Sequence, residues 1–178
     1  AGMTKDSIII SSSMLTILYA TVAIGSVIML VWLARGPFYV PTKRNYVPHI
    51  VNFLSIRPGE KAVDLGSGNG RLLIALAEAG AVAHGYEHNP LLVWCSRWNI
   101  KRAGLKGKAF VHTANFWNVD VSAFNAVVIY GIHYIMPKLE EKLRRELRPG
   151  ARVVAHSFTF PTWQQVETYK RVYLYKQI

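Results

Sequence analysis

The stretch Val63-Asp64-Leu65-Gly66-Ser67-Gly68-Asn69-Gly70-Arg71 decides the fold of this chain. Lys61-Ala62-Val63 at its start is typical of a short buried strand, and residues 72–77 after it are typical of a helix. A strand, a glycine turn and a helix in this order direct backbone N–H groups toward a ligand, and glycine allows positive φ and close approach. The spacing acid-x-Gly-x-Gly-x-Gly differs from that of dinucleotide-binding folds. No Lys-Ser/Thr pair follows it to make a phosphate loop.

A second acidic residue stands where the next strand should end. The segment Ala81-Val82-Ala83-His84-Gly85-Tyr86-Glu87 places a carboxylate 23 residues after Asp64. A carboxylate in this position accepts hydrogen bonds from the ribose hydroxyls of a nucleoside. The glycine turn and Glu87 together indicate a cofactor that contains adenosine but no pyrophosphate. S-adenosylmethionine fits best, with S-adenosylhomocysteine as the product.

Apolar residues are concentrated near the N-terminus. Of the 178 residues 51% are hydrophobic, and none between Ser7 and Ala34 is charged. The 21 residues from Met14 to Ala34 are enough to cross a bilayer of about 30 Å as a helix, and Trp32 and Arg35 suit an interfacial anchor. The alternative is a buried core helix, but so small a domain could not enclose one of this length. We therefore expect a single transmembrane helix.

The chain is expected to have three parts. Residues 1–7 form a tail, in which Ala1-Gly2 before Met3 is typical of a cloning remnant. Residues 8–35 form the membrane anchor. Residues 36–178 are enough for one compact α/β domain and too few for two.

Charges that flank the anchor predict its orientation. Lys5 and Asp6 cancel before it, whereas Arg35, Lys43 and Arg44 follow it. The positive-inside bias therefore puts the C-terminal domain on the cytoplasmic side, or in an equivalent matrix. The sequence contains no Arg-rich amphipathic presequence that would support import into an organelle.

The net charge of +11 favours anionic lipid surfaces, acidic proteins or nucleic acid as partners. Two basic clusters contribute most of this charge: Lys101, Arg102, Lys106 and Lys108, and Arg144, Arg145, Arg148 and Arg152. The alternative for each cluster is a solvated helix face. In the second cluster that face would be partly balanced by Glu140, Glu141 and Glu146 at helical spacing.

Four conspicuous residues are assigned structural roles. Cys95 is the single cysteine, so the chain has no intrachain disulfide, which suits a reducing compartment. We expect it to be an inert packed thiol. Trp94 and Trp98 are four residues apart on a helix and are expected in the core, and His133 is expected at the surface. No spacing typical of metal ligands is present, so no metal is expected.

Helical and strand patterns alternate along the rest of the chain. The helices expected are Tyr46–Ser55, Pro90–Ala103 with Asn89 as its cap, and Pro137–Leu147; the strands are Ala109–His112, Ala126–Tyr130, Arg152–His156 and a half-exposed antiparallel Tyr169–Lys176. This alternation predicts an α/β fold, a parallel sheet with helices on both faces. Ligands bind such sheets beyond the carboxyl ends of the strands. The side chains expected at or just beyond those ends are Asp64, Glu87, Asn115, Gly131 and His156.

These residues resemble the seven-strand, Rossmann-like S-adenosylmethionine-dependent methyltransferases. The chain is most similar to the small protein-lysine methyltransferases related to the mitochondrial enzymes that modify the adenine nucleotide translocase and the ATP-synthase c-subunit. The resemblance rests on segments 37–42, 64–71, 85–94, 115–119, 138–143 and 152–158, and it covers residues 37–163. The glycine turn is shared by the whole superfamily, and the other segments make the family assignment specific.

The resemblance implies a cofactor site. Its expected residues are Thr42, Asp64, Gly66, Ser67, Gly68, Gly70, Glu87, His88, Asn115 and Phe116. Asn115 stands where many methyltransferases carry Asp, but an amide oxygen also accepts a bond from the adenine amino group. After the fourth strand, Tyr130-Gly131-Ile132-His133 departs from the Asn/Asp-Pro-Pro-Tyr/Phe motif of nucleobase amino-methyltransferases.

The resemblance also implies a channel for the substrate lysine. Its expected catalytic residues are Tyr39, His156, Phe158 and Trp163, with Ile132 and Phe160 nearby. His156 would orient the amine or relay its proton, and the alternative is a hydrogen-bonded core histidine. Trp163 would form a wall of the channel or else pin its loop to the sheet. Tyr39 and Thr42 would close over the methionine end of the cofactor, or simply belong to a linker.

Three functions remain open from the sequence. The first is a membrane-anchored protein-lysine methyltransferase that acts on a membrane or membrane-adjacent protein. The second is a methyltransferase for a lipid amine, which the anchor favours, or for RNA, which the charge favours although no RNA-binding module is present. The third is a non-catalytic cofactor-binding scaffold, which would not need to keep Asp64, the glycine turn and Glu87 together.

Overall fold

A computed structural model describes residues 12–34 and 41–178, with side chains described for 12–28 and 41–178. The chain divides into two units, Ala1–Val40 and Pro41–Ile178. Within the first unit, residues 12–34 form a helix. The second unit contains the sheet and all the residues of the candidate site that the structure describes.

The first unit contains helix α1, Ser12–Ala34. All the side chains described in it, from Ser12 to Ile28, are exposed, including Ile17 at 64% and Tyr19 at 71%. Ser26 satisfies its hydroxyl within the helix by donating to the Val22 carbonyl at 2.9 Å. Among the residues with described side chains, which end inside α1 at 28 and resume at 41, no helix is long and apolar enough to span a membrane.

The second unit alternates strands and helices. In chain order it contains α2 Val47–Leu54, β1 Lys61–Leu65, α3 Arg71–Glu78, β2 Val82–Glu87, α4 Pro90–Arg102, β3 Ala109–Thr113, β4 Ala126–Tyr130, α5 Met136–Glu146, β5 Arg152–His156, β6 Glu167–Tyr169 and β7 Val172–Lys176. Short 3₁₀ turns cover Arg44–Tyr46, Phe116–Asn118 and His133–Ile135. The Asn89 side chain caps α4 by accepting from the Leu91 and Leu92 amides, as expected.

One seven-stranded sheet runs through this unit in the order β3-β2-β1-β4-β5-β7-β6. Strands β1 to β5 are parallel, and β7 is antiparallel to both β5 and β6. The predicted Rossmann-like methyltransferase sheet is therefore confirmed. The register pairs Leu65 with Tyr86 and Ile129, so the strands that flank β1 end level with it.

Two apolar clusters cover the two faces of the sheet. The first contains the buried residues of α2, α3 and α4 together with Ala62, Val128 and Val154. The second contains those of α5 with Val63, Val127 and Val153. Adjacent strand residues thus face opposite clusters, as the two-residue period of a strand requires. By the same period, Asp64, Tyr130 and His156 face the side covered by α2, α3 and α4.

The C-terminal region differs from the single strand expected. It forms a hairpin of β6 and β7, with Tyr169 paired to Val172. Lys170 adopts a φ of +53° between the two strands. The prediction missed this turn because neither Lys170 nor Arg171 belongs to the residue types that mark tight turns.

The two tryptophans of α4 are not in the core. Trp94 is 67% exposed and Trp98 50%, whereas Val93, Ser96 and Ile100 of the same helix are buried. The spacing of four correctly predicted that the two indoles share a face of the helix, but that face points away from the sheet. The prediction that they are core residues was therefore wrong.

Half of the second basic cluster is paired with carboxylates on α5. Arg144 pairs with Glu140 at 3.6 Å and Arg145 with Glu141 at 3.8 Å, both one turn apart on α5. Lys142 pairs with Glu146 at 2.7 Å. The balanced helix face is therefore the correct interpretation for Arg144 and Arg145. Arg152 pairs with Glu60 instead, and Arg148 donates to the Ser122 carbonyl.

We predict that Gly70→Ala destabilises the domain by about 3 kcal/mol, because a Cβ there adds both backbone strain and a collision. Gly70 has a φ of +81°, and its Cβ would lie 2.2 Å from the Oγ of the buried Ser96. Gly104→Ala is the matched control, since its φ is +70° but its Cβ meets nothing within 4 Å. It should cost only about 1 kcal/mol. Urea unfolding followed by circular dichroism measures both, and equal losses would exclude the collision with Ser96.

Candidate functional site

The glycine turn after β1 is bound to the end of β2. The Gly66 and Ser67 amides both donate to the Tyr86 carbonyl, at 2.9 and 3.2 Å. The Gly68 amide donates to Oε2 of Glu87 at 3.1 Å. These amides are therefore used within the protein and are not directed at a ligand, contrary to the expectation from sequence. Open space does lie beside Gly66, which has a φ of +88° and no atom within 4 Å of an added Cβ.

Ser67 packs against the sheet. Its Oγ would lie 2.6 Å from a Cβ on Gly85, so the two positions fit only because Gly85 has no side chain. This oxygen is buried and has no hydrogen-bond partner among the described residues. The side chain is directed at β2, so Ser67 would line the open space with its backbone.

Glu87 is held by backbone amides on both sides. Oε2 accepts from Gly68, and Oε1 accepts from the Asn89 amide at 2.8 Å. His88 Nδ1 lies 3.4 Å from the same Oε1. The Glu87 side chain is buried, so its orientation is fixed before any ligand arrives. A carboxylate has about four lone-pair sites, which leaves acceptors for two hydroxyl groups.

Asp64 is the second buried carboxylate of the site. It is only 3% exposed, next to the last residue of β1 and just before the glycines. Burial, followed by the charge of Glu87, raises the pKa of Asp64 to about 7. A buried carboxyl group with this pKa is stabilised in its charged form by a nearby cation. The pair therefore favours a ligand that carries positive charge at the Asp64 end and hydroxyl groups at the Glu87 end.

The segment before α2 also reaches the glycine turn. The Arg71 guanidinium, at the first position of α3, donates to the Thr42 carbonyl. Thr42 is buried, and its place beside the cofactor stays a prediction. Tyr39, predicted beside it, lies outside the described residues. The sequence did not predict this contact, because the first turn of a helix is usually solvated.

Asn115 and Phe116 follow β3 at the far end of the same edge. Oδ1 of Asn115 accepts from the Trp117 amide at 3.1 Å and so caps the 3₁₀ turn Phe116–Asn118. A second lone pair on this oxygen remains for an adenine amino group. Asn115 is exposed and Phe116 is partly buried, so both are accessible to a ligand.

His156 lies between two tyrosines. Its ring centroid is 4.7 Å from that of Tyr46 and 4.8 Å from that of Tyr130. Burial, followed by the positive charge of Arg171, lowers the pKa of His156 to about 4, so the ring is neutral near pH 7. Its Nδ1 is buried with no hydrogen-bond partner among the described residues, which contradicts the hydrogen-bonded core histidine. A base this weak is a poor proton relay for an amine, whereas the free nitrogen can orient one.

Sequence reasoning did not identify Tyr46 and Tyr130 as neighbours of His156. Tyr130 could have been found, because it ends β4 in register with the end of β5. Tyr46 precedes α2, and only the tertiary fold brings it to His156. Phe158 is partly buried, and its ring centroid is 6.3 Å from that of His133, which is exposed as expected.

Trp163 does not line the substrate edge. Its Nε1 donates to the Lys176 carbonyl at 3.3 Å, and Lys176 pairs with Arg152 at the start of β5. Its ring packs against Phe160 and Tyr175 on the face of the sheet that α5 covers. The site lies at the opposite ends of the parallel strands, so the structure does not place Trp163 at the predicted channel. The hydrogen bond to Lys176 supports the alternative, that Trp163 pins its loop to the sheet.

A family model described as the ANTKMT methyltransferase domain matches residues 64–167. Two curated mouse proteins are similar to the chain. The ATP synthase C-subunit lysine N-methyltransferase is 40% identical over 154 residues, which are 80% of this chain and 62% of that protein. The adenine nucleotide translocase lysine N-methyltransferase is 40% identical over 129 residues, 72% of this chain and 56% of that protein. The chain thus spans about three fifths of the length of these relatives.

A solved structure is similar over most of the domain. An RNA methyltransferase from Salinibacter ruber, in complex with S-adenosyl-L-homocysteine, superposes with a TM-score of 0.74 at 30% identity. The match covers 77% of this chain and 93% of that one.

We predict that Asp64 makes a contribution to stability that is lost as pH rises, because folding raises its pKa. Folding lowers the pKa of His156 from 6.5 to about 4, which gives the opposite trend in wild type and in Asp64→Asn alike, so the test is the difference between these two proteins. The contribution of Asp64 to the free energy of unfolding should decrease between pH 3.8, the ordinary pKa of this group, and about pH 7, and then level off. The total is up to about 4 kcal/mol. Asp64→Asn should remove most of this dependence and be the more stable protein at pH 8. Urea unfolding midpoints from pH 5 to 8 test this, and parallel curves for the two proteins would refute the assignment to Asp64.

Proposed function

Because the chain belongs to the family defined by the ANTKMT methyltransferase domain, we propose that it is a protein-lysine N-methyltransferase dependent on S-adenosylmethionine. The observation that carries this proposal is the edge formed by Asp64, Glu87 and His156. It joins two buried carboxylates to a neutral histidine between two tyrosines. The two carboxylates suit the cofactor, and the histidine with its two tyrosines suits an amine.

The cofactor would contribute an electrophilic methyl group on a sulfonium. Glu87 would accept hydrogen bonds from the ribose hydroxyls through its remaining lone pairs. Asp64 would face the positively charged methionine portion, and its burial makes a cation the ligand that best stabilises its charge. The space beside Gly66 would admit the ligand close to the backbone. Oδ1 of Asn115 would accept a hydrogen bond from the adenine amino group.

A lysine acceptor must lose a proton before it can attack. An exposed lysine has a pKa of about 10.4, which burial against apolar and aromatic groups lowers. Tyr46 and Tyr130 would supply such surroundings, and their rings would attract a methylated ammonium group. His156, neutral near pH 7, would hold the amine through Nδ1, which is buried in this structure and would have to become accessible when the substrate binds. The proton would leave to solvent. Transfer would then depend mainly on position, because an in-line displacement needs aligned reactants.

The acceptor proposed is a lysine of a membrane or membrane-adjacent protein. Helix α1 supports this part, since its 23 residues are uncharged and its described apolar side chains are exposed. At 1.5 Å per residue it is about 34 Å long, comparable with the hydrocarbon core of a bilayer. We propose that α1 is a single-pass anchor, with the second unit on the cytoplasmic or matrix side. The mouse relatives are named for the adenine nucleotide translocase and the ATP synthase C-subunit.

RNA is the second candidate acceptor. It is favoured by the net charge of +11 and by the name of the Salinibacter ruber relative. A lipid amine is a third candidate acceptor, because a membrane anchor would hold the domain close to lipid headgroups. Both acceptors are tested together with lysine in the experiment below.

We predict methyl transfer from labelled S-adenosylmethionine to a membrane protein when the full chain is added to isolated membranes. Asp64→Ala and Glu87→Ala should each reduce the label about 100-fold or more, since both remove contacts to the cofactor. Glu141→Ala, which removes a 76% exposed carboxylate on α5, should leave transfer unchanged. Mass spectrometry of the labelled band should find methyl-lysine. Label found only in RNA or lipid would identify that molecule, and not a protein lysine, as the acceptor. No label despite measurable cofactor binding would refute an enzymatic function.

We predict that His156→Phe reduces kcat about tenfold or more and leaves the dissociation constant of the cofactor unchanged, because only the amine loses its partner. His156→Asn, which keeps a polar atom near the position of Nδ1, should recover part of the loss. In wild type the pH–rate profile should show no inflection from His156 between pH 6 and 9, since its pKa lies near 4. An inflection that disappears in His156→Asn would instead identify it as a proton relay.

A further inference from the structure

Helix α4 presents an apolar face to solvent that the proposed methyl transfer does not use. Its members are Leu91, Trp94 and Trp98, which are 58%, 67% and 50% exposed. Their spacing of three and four places them on one side of the helix. Val93 and Ile100 lie on the opposite side and are buried against the sheet. We call the three exposed residues the α4 face.

Basic residues surround the α4 face, and acidic residues are absent from its neighbourhood in the sequence. Between Glu87 and Asp120 the chain has no acidic residue. The basic residues in that interval, which we call the α4 cluster, are Arg97, Lys101, Arg102, Lys106 and Lys108. All five are exposed, and none takes part in a salt bridge among the described residues. Arg144 and Arg145 on α5, by contrast, are paired with carboxylates.

The guanidinium of Arg102 lies 4.4 Å from the centroid of the Trp98 ring. This contact brings a cation and an indole together at the outer surface of the helix. Burying these apolar groups is favourable, so their exposure indicates a surface that is covered in the working protein.

We propose that the α4 face and the α4 cluster dock the domain on an anionic membrane surface. Indoles prefer the interface between lipid headgroups and acyl chains, and lysine and arginine around them are attracted to anionic headgroups. An amphipathic helix with both features lies in the plane of the interface. A single-stranded nucleic acid would use aromatic rings for stacking, but Leu91 offers none. A protein partner would be expected to supply acidic groups for the same cluster.

Docking would bring the candidate active site to the membrane. Helix α4 begins at Pro90, three residues after Glu87, so its Leu91 end lies at the edge of the sheet that carries the site. A lysine close to the lipid headgroups would then be within reach of that edge. The proposed membrane contact is made by the second unit itself, and it does not depend on the identity of the methyl acceptor.

The test uses the full chain labelled at Cys95, its single cysteine, with an environment-sensitive nitrobenzoxadiazole dye. Cys95 is half-buried beside Trp94, so the dye reports the α4 face without replacing any of its residues. The chain is reconstituted in phosphatidylcholine vesicles with and without phosphatidylglycerol. With the anionic lipid we expect dye emission to rise about twofold, and doxyl-labelled lipids to quench it. Added salt should weaken the effect.

Two variants separate docking from mere proximity to the bilayer. Trp94→Gln/Trp98→Gln should abolish the rise in emission at Cys95. A dye moved to α5, in Cys95→Ser/Glu141→Cys, should show none. Equal quenching at both labelled positions, or no effect of phosphatidylglycerol, would overturn the proposal. A change in dye emission that depends on RNA or on protein concentration, and not on lipid, would also overturn the proposal. Because the dye reports contact and not methyl transfer, these outcomes are distinct from failure of the proposed enzymatic function.

Discussion

The hydrogen bonds that join the glycine turn to the end of β2 are the constraint on which the site depends. The Tyr86 carbonyl receives two amides of the turn, and the Glu87 carboxylate receives a third. This arrangement needs the positive φ of Gly66 and also Gly85, whose missing side chain leaves room for Ser67. The turn, the end of β1 and the end of β2 therefore form one rigid unit. A ligand would meet a carboxylate that is already oriented, so little entropy would be lost in ordering it.

The same constraint carries an electrostatic cost. Placing Glu87 at the turn brings its charge to the buried Asp64, and burial and this charge together raise the pKa of Asp64 to about 7. In the free protein the charged form of Asp64 is less stable than it would be in water. A cationic ligand would recover this lost free energy on binding. Stability is thus reduced at the position where positive charge is to be bound, as is common in sites arranged for function. His156 illustrates the same principle with the opposite sign, since burial keeps it neutral.

Much of the fold could be predicted because its signals are local. The acid and glycines after β1, the cap at Asn89 and the acid at the end of β2 each depend on a few adjacent residues. The failures concern properties set by distant contacts. Trp163 was assigned to the substrate edge, but its place is fixed by the Lys176 carbonyl on β7. Trp94 and Trp98 were assigned to the core because periodicity shows that residues share a face and not which face is covered. Tyr46 could not be identified, since its contact with His156 joins segments 110 residues apart.

The two basic clusters show how one composition leads to different surfaces. On α5, three basic residues, Lys142, Arg144 and Arg145, each pair with a carboxylate one turn away on the same helix. On and after α4 no carboxylate is available from Glu87 to Asp120, and the cations flank exposed indoles instead. Pairing adds little to the stability of exposed residues, so its absence around α4 costs the fold almost nothing. Exposed tryptophans are different, because their burial would be strongly favourable. The burial of Val93 and Ile100 accounts for the packing of α4 on the domain, and a surface that covers Trp94 and Trp98 would account for their exposure.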